Sequence, residues 1–193
     1  YVKRVLPNGV RIISERLDNV RTVSVGIWVG NGSRYEPAEL NGISHFIEHM
    51  IFKGTEKRSA RHIAIAIDAL GGQANAFTDK ECTCYYAKVI AEHLPRAMDL
   101  LCDMLLNARV DEAEFEKERG VILEEIAMCE DTPEDLVYDL LAEAYFGEHP
   151  LARPILGSHD QIASIGREAL LTFKKKHYRP DNTVLAIAGQ FDR

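Results

Sequence analysis

Three residues in one short segment have the types and the spacing of a metal-activated water site. His45 and His49 lie four positions apart, and Glu48 directly precedes the second histidine. On an α-helix, positions i and i+4 share one face about 6 Å apart, so both imidazoles can bind one metal ion. Glu48 lies about 60° around the helix from His45, where it can accept a proton from a metal-bound water without being a ligand. The segment therefore predicts a metal-dependent hydrolase.

A short motif of this kind also occurs by chance, so the hypothesis needs further residues that complete the site. Imidazole pairs favour zinc, and a catalytic zinc site commonly has three protein ligands with one position left for water. The segment 112–130 is the candidate source of a third, acidic ligand, because its apolar residues recur at helical spacing. Those residues are Phe115, Ile122, Ile126 and Cys129.

Two carboxylates lie along one edge of that apolar stripe. Glu118 and Glu125 are seven positions apart, close to two helical turns, whereas Glu124 points elsewhere. Paired carboxylates beside a buried face make sense if one binds the metal and the other supports the site. A solvent-exposed acidic helix is the alternative, and the residues alone do not decide between the two.

The elements that must position these residues follow from the apolar pattern and the turn signals. Asn8 and Gly9 predict a hairpin between two strands near the N-terminus. Further strands are predicted at 23–29, 73–78, 82–90 and 182–189. Helices are predicted at 41–52, 59–70, 92–107, 111–130, 133–146 and 166–177, with a loop rich in Pro and Gly between the last two. The sum is one α+β domain over residues 1–193, with a mixed or antiparallel sheet and helices packed mainly on one face.

Composition narrows the classes of function. The chain carries 23 Lys and Arg against 30 Asp and Glu, and this net charge of −7 argues against a nucleic-acid partner while leaving cationic peptides open. We expect no membrane partner, because no run approaches about 18 apolar residues, and no signal peptide, because the N-terminal segment YVKRVLPNGV lacks an apolar h-region. The four cysteines form no C-x-x-C pair, which is typical of free thiols in a reducing compartment and predicts a cytoplasmic protein. Cys82 and Cys84 are interpreted as packing residues rather than nucleophiles, because no base is evident for them.

Four segments occur in an order that identifies a family. They are LNGISHFIEHMIFKGT, LGGQANAFTDKECTCYYAKV, FEKERGVILEEI and HPLARPILG, and the first contains H-x-x-E-H, the inverzincin signature. With these segments the chain resembles the pitrilysin or insulinase-type zinc peptidases over nearly its whole length. It is most similar in character to their two-domain bacterial members and to the β subunit of mitochondrial processing peptidase. That similarity leaves the mitochondrial matrix as an alternative compartment.

The resemblance assigns roles that the residues alone leave open. It implies one zinc ion per chain, bound by His45, His49 and Glu125. Glu48 becomes the general base, and Glu118 becomes the carboxylate that supports the site. The implied reaction is the hydrolysis of a peptide bond by a water that the metal activates, without a covalent intermediate.

The resemblance also implies how a substrate is held. In the family an extended peptide adds to the edge of the sheet, and Asn75, Ala76 and Phe77 match the strand that accepts it. A purely structural strand is the alternative. Asp135 and Asp139 match acidic positions that receive an arginine near the cleavage site in the processing peptidases. An exposed acidic helix face is the alternative here, so a preference for basic residues is a hypothesis.

Members of this family usually consist of two homologous halves that close around the peptide. The resemblance implies that residues 1–193 are a single N-terminal catalytic domain without the C-terminal half, so the isolated chain is expected to bind zinc but to cleave peptides poorly. The implied partners are a peptide substrate and a homologous C-terminal half or partner subunit, and a homo-oligomer stays open. Two other functions also stay open, namely a non-catalytic peptide-binding or assembly subunit of the same fold and a metal-dependent hydrolase of a small amide.

Overall fold

The computed structural model describes residues 1–192, in which six strands and seven α-helices follow each other in blocks along the chain. The strands are β1 (Val2–Val5), β2 (Arg11–Arg16), β3 (Thr22–Val29), β4 (Gln73–Thr78), β5 (Thr83–Ile90) and β6 (Thr183–Gly189). The helices are α1 (Ile43–Ile51), α2 (Ala60–Ala69), α3 (Leu94–Asn107), α4 (Glu112–Asp131), α5 (Pro133–Phe146), α6 (His159–Ser164) and α7 (Arg167–His177). Across the described residues, no helix combines the length and the apolarity that a membrane crossing needs.

All six described strands form one mixed sheet in the order β1-β2-β6-β3-β5-β4. Strands β2 and β6 are parallel, and every other neighbouring pair is antiparallel. The predicted N-terminal hairpin is confirmed, since Val5 pairs with Arg11 and Gly9 adopts a φ of 97° in the turn. Among the described strands, β4 lies at one edge of the sheet and pairs with β5 alone.

The helices cover one face of this sheet, as predicted. Alternate residues of β3, namely Val23, Val25 and Ile27, are buried, whereas Ser24 and Trp28 on the opposite face are exposed. The buried residues of β3 and β5 form one core with apolar side chains from several helices. Among these side chains are Ile47 and Met50 of α1, Leu100 and Met104 of α3, Ile122 of α4, and Leu170 of α7.

Helix α1 begins at Ile43, two residues later than predicted. The residue before it, Gly42, has a φ of 94°, which a right-handed helix does not allow. A side chain at this position would also collide with the chain, because a Cβ atom would lie 2.4 Å from the carbonyl oxygen of Leu156. Gly42 therefore fixes where the helix with both histidines begins.

Helix α6 is an element that the sequence-based prediction treated as loop. It has six residues, and its N-terminus carries a capping box in which Ser158 and Gln161 bond to each other's backbone amides. The predicted loop after α5 is therefore interrupted by a short helix, which packs against α4.

Candidate active site

Helix α1 holds its two histidines at the boundary between its buried face and an open cleft. Ile43, Phe46 and Ile47 on the same helix are fully buried in the core. The side chains of His45 and His49 keep 13% and 17% of their surface exposed. Their ring centroids lie 4.6 Å apart. The one-turn spacing thus places both imidazoles beside each other, as expected.

A buried carboxylate holds the first turn of α1. Glu36 accepts hydrogen bonds from the backbone N–H groups of Gly42 and Ser44, each at 2.8 Å, and from Nδ2 of Asn41 at 2.9 Å. The carboxylate thereby satisfies N–H groups that the first turn of a helix leaves without partners. Burial raises the pKa of Glu36, while the bonds from Asn41 and Ser44 oppose that rise. The sequence analysis missed this residue, which lies outside the motif that it supports.

Helix α4 brings Glu125 to the two histidines. Its Oε2 atom lies 3.7 Å from Nε2 of His45 and 3.4 Å from Nε2 of His49. The two helices are aligned by a stack between Phe46 and Phe115, whose ring centroids are 4.6 Å apart at an interplanar angle of 2°. One ligand atom from each of the three residues lies within 4.8 Å of the others, so one metal ion can reach all three.

The donor set and its spacing fit a zinc ion. Zinc holds imidazole nitrogen and carboxylate oxygen at about 2.1 Å in a tetrahedron, which places two ligand atoms about 3.4 Å apart. The two contacts of Glu125 with the imidazole nitrogens, at 3.4 and 3.7 Å, are close to that edge length. Burial, and then the neighbouring His49, lower the pKa of His45 to about 4, so its ring is neutral near pH 7 and can donate a lone pair.

Glu118 lies behind His49 rather than beside the candidate metal position. Its Oε2 atom is 3.0 Å from Nδ1 of His49, and its Oε1 atom is 2.5 Å from Nζ of Lys53. The Glu118 side chain is only 6% exposed, so this carboxylate is buried with two cationic or hydrogen-donating partners. A carboxylate in this place orients the ring and leaves its Nε2 free for a metal. The sequence analysis did not single out Lys53.

Glu48 lies on α1 next to the three candidate ligands. Its Oε2 atom accepts a hydrogen bond of 2.5 Å from Oγ1 of Thr78, the last residue of β4. Burial raises the pKa of Glu48, the bond from Thr78 and the field of His49 lower it, and the nearby Glu125 raises it. The Glu48 carboxylate is therefore close to the candidate ligands, and burial increases its affinity for a proton. Both properties suit a general base.

One open cleft of about 570 Å³ brings several of the predicted residues together. His45, Glu48 and Glu125 line it, and so do Ala76, Phe77, Thr78, Asp135 and Asp139. Asn75 is not among the lining residues; its side chain is exposed, and its Oδ1 atom accepts from the N–H of Ala76 at 2.9 Å. The cleft also has apolar walls, to which Met128, Tyr138, Ile155 and Leu156 contribute.

The cysteines show no sign of activation as nucleophiles. Burial raises the pKa of the Cys84 thiol to about 12, with smaller contributions from Cys82 and Glu48. Burial raises the pKa of Cys82 as well. All four cysteines are free thiols, and these two fit the packing role that the sequence predicts.

Comparison with known proteins gives a family and full-length relatives. The family model described as Insulinase (Peptidase family M16) matches residues 11–159. A protein of Bacillus subtilis, described as an uncharacterized zinc protease and called YmxG, is 52% identical over 182 residues. The match covers 94% of this chain and 44% of that protein. A protein of Arabidopsis thaliana, described as a probable mitochondrial-processing peptidase subunit beta, is 42% identical over 95% of this chain and 35% of its own length.

Solved structures share the fold over the whole chain. The crystal structure of a protease from Helicobacter pylori superposes with a TM-score of 0.94 at 26% identity, covering 99% of this chain and 46% of that one. An inactive M16 peptidase domain from Pseudomonas fluorescens superposes with a TM-score of 0.91 at 17% identity, covering 100% of this chain and 47% of that one, and shows the fold alone. The chain thus spans less than half the length of these relatives.

Proposed function

We propose, on the premise that the chain belongs to the insulinase family of peptidases (family M16), that it is the metal-binding half of a zinc-dependent endopeptidase. The observation that carries this proposal is the meeting of two elements at one point. Nε2 of His49, on α1, and Oε2 of Glu125, on α4, lie 3.4 Å apart, and Glu48 lines the same cleft as Glu125.

Each residue has a role that follows from its place. His45, His49 and Glu125 would hold one zinc ion per chain. Zinc bound there would supply a Lewis acid for the substrate carbonyl and an acidified water as nucleophile. Glu48 would accept a proton from a water in the cleft and could return it to the leaving amine. Glu118 keeps the ring of His49 oriented from behind.

The edge of the sheet supports a peptide as the substrate. Within residues 1–192, strand β4 has a neighbouring strand on one side only, so an extended peptide can pair with its free edge. Ala76 and Phe77 of this strand line the cleft beside Glu48, and we propose that they and Asn75 bind the peptide backbone. Asp135 and Asp139 give the same cleft two carboxylates, which supports a preference for basic residues.

We further propose that residues 1–193 act as one N-terminal domain beside a homologous second half or partner subunit. This proposal rests on the length of the chain, which covers 44% of the Bacillus relative and 46% of the Helicobacter protease. The second half would complete the cleft, so we expect weak peptide cleavage by this chain alone. A homo-oligomer and a cytoplasmic location stay predictions.

A non-catalytic role is the second candidate function, and one finding favours it. The inactive domain from Pseudomonas fluorescens has the same fold, so the fold by itself does not imply catalysis. Against this role stands the complete set of candidate ligands and base in this chain. A hydrolase of small amides is the third candidate, and the elongated edge of β4 argues for a peptide instead.

Metal content tests the proposal without requiring activity. The wild-type chain is expected to retain about one zinc per molecule after dialysis, and His45→Ala is expected to lose it. Glu124→Gln is the matched control, because Glu124 is exposed on the same helix as Glu125. A wild-type chain without zinc, or a His45→Ala chain that keeps it, would refute the metal site.

Turnover tests the reaction. In the full-length protein, or with a homologous second half added, the zinc-loaded chain is expected to cleave an unfolded basic peptide and to leave small amides intact. Glu48→Gln is expected to keep its zinc and lose cleavage. Undiminished cleavage by this variant would show that Glu48 is not the base.

A further inference from the structure

Thr78 makes a contact with the candidate base that the family resemblance did not assign. Its Oγ1 atom donates a 2.5 Å hydrogen bond to Oε2 of Glu48, from a strand that lies 30 positions away in the sequence. We propose that Thr78 is a positioning residue that holds the Glu48 carboxylate in the orientation required for proton transfer. This inference rests on the proposed function and extends it to the strand that would bind the peptide.

The direction of the hydrogen bond follows from the hydroxyl protons available. A threonine hydroxyl has a single proton to donate. The proton of Thr83 is used by the carbonyl oxygen of Asn31, which Oγ1 of Thr83 contacts at 2.9 Å. The two threonine hydroxyls are 3.4 Å apart, a weak contact beside the 2.5 Å bond from Thr78 to Glu48. The proton of Thr78 is therefore donated to Glu48.

This hydrogen bond leaves the second carboxylate oxygen of Glu48 available for proton transfer. Among the described residues, the hydrogen bond from Thr78 is the one that reaches the Glu48 side chain. A hydroxyl bond to an ionised carboxylate is short and strong, so it restricts a side chain that otherwise has free rotamers. With Oε2 engaged, Oε1 is the oxygen that can accept a proton from a water in the cleft.

Thr78 also links the base to the edge strand. Alternate residues of a strand share one face, and the half-buried Ala76 and Thr78 alternate with the exposed Asn75 and Phe77. The Thr78 side chain thus points toward α1 from the same strand whose free edge would accept a peptide. A peptide seated on β4 is thereby held against the strand that sets the orientation of Glu48.

Two substitutions at Thr78 test the proposal in the full-length protein. Thr78→Val keeps the shape and removes the hydroxyl, whereas Thr78→Ser keeps the hydroxyl. We expect Thr78→Val to lower kcat about 10- to 100-fold, the usual effect of losing a supporting hydrogen bond. KM, zinc content and peptide affinity of the metal-free protein are expected to stay within about twofold, since the hydroxyl that is removed is bonded to Glu48 and a strand binds a peptide through its main chain. Thr78→Ser is expected to restore kcat to within a few-fold.

A crystal structure of the metal-free Thr78→Val protein gives a readout independent of turnover. We expect one orientation of the Glu48 carboxylate in the wild type and more than one in the variant. The proposal is overturned if Thr78→Val keeps the wild-type kcat, if Thr78→Ser fails to restore it, or if Thr78→Val loses zinc. A zinc-loaded wild-type protein that cleaves no peptide would instead refute the proposed function, and the role of Thr78 with it.

Discussion

Nδ1 of His49 lies 3.0 Å from Oε2 of the buried Glu118, so one candidate ligand is held from behind by a hydrogen bond. His45 is held differently, because its Nδ1 atom is buried without a hydrogen-bond partner among residues 1–192. On its Nδ1 side the ring of His45 is therefore oriented by packing, whereas charge and hydrogen bonding orient the ring of His49 on that side. Substitutions that remove a hydrogen-bonding group should therefore affect the orientation of the His49 ring more than that of the His45 ring.

The first prediction concerns Glu118→Gln. This change keeps the size of the side chain but removes the charge that His49 and Lys53 share. We expect the affinity for zinc to fall about 10- to 100-fold, because a neutral amide orients the ring less firmly and makes it a weaker donor. Competition with a chelator of known affinity measures this effect.

Glu124→Gln is the control for that experiment, since it makes the same chemical change at an exposed position of α4. Its zinc affinity should equal that of the wild type. If Glu118→Gln binds zinc as tightly as Glu124→Gln does, Glu118 is merely a structural partner of Lys53.

The second prediction concerns Glu36→Ala. The substitution removes the acceptor for the N–H groups of Gly42 and Ser44 and leaves them buried at the start of α1. We expect the free energy of unfolding to fall by about 1–3 kcal/mol, and zinc affinity to fall with it as the first turn loosens. Denaturant unfolding of the metal-free chain measures the first effect and chelator competition the second. Glu39→Ala, at an exposed position of the same segment, should change neither value.

The third prediction is a pH dependence of the metal-free chain. The pKa of His45 is lowered from 6.5 to about 4 in the folded state, chiefly by burial. Between these two pH values the unfolded chain binds a proton that the folded chain does not. The stability that the neutral ring contributes is therefore present above pH 6.5 and is lost as the pH falls toward 4, by up to about 3 kcal/mol.

Denaturant unfolding at several pH values tests this sign. His45→Gln should flatten the loss of stability between pH 6.5 and 4, whereas His62→Gln, at an exposed position of α2, should leave it unchanged. A wild-type chain that gains stability as the pH falls through this window would contradict the assignment.

The sequence predicted much of this arrangement because its signals are local. The spacing of His45 and His49 fixes their common face once α1 forms, and helical spacing also places Glu118 and Glu125 on one helix. The sheet and its covered face followed from apolar alternation and turn residues, whereas the choice between mixed and antiparallel pairing was left open. Helix α6 was missed although its capping residues Ser158 and Gln161 are visible in the sequence, because six residues carry too little periodicity.

Contacts between distant segments were beyond the reach of such signals. Thr78 and Glu48 are 30 positions apart, and no period relates a strand end to a helix interior. Glu36 lies outside the recognised segments and Lys53 lies inside the first of them, but both support the site through contacts that only the packing of α1 against its neighbours creates. Parallel pairing of β2 with β6 joins the two ends of the chain, for which local patterns give no evidence either.

The last prediction separates a specificity role of α5 from an exposed acidic face. Asp135 and Asp139 line the cleft, and the field of Asp139 also acts on Lys80, so part of its charge is already countered. We expect Asp135→Asn with Asp139→Asn to raise KM about fivefold for a peptide with arginine near the cleaved bond, and to leave the same peptide with glutamine unaffected. Added salt should shrink the difference, because it screens charges at a surface cleft.

Steady-state kinetics of the full-length protein with the two peptides measures that preference. Glu134→Gln is the matched control, since Glu134 is exposed on α5 but does not line the cleft. Its KM should match the wild type for both peptides. If the wild type and the double variant each show equal KM values for the arginine and glutamine peptides, the two carboxylates of α5 are merely part of an exposed acidic surface. A wild-type preference that survives the double substitution would place the basic-residue site elsewhere, because attraction by these two carboxylates requires their charge.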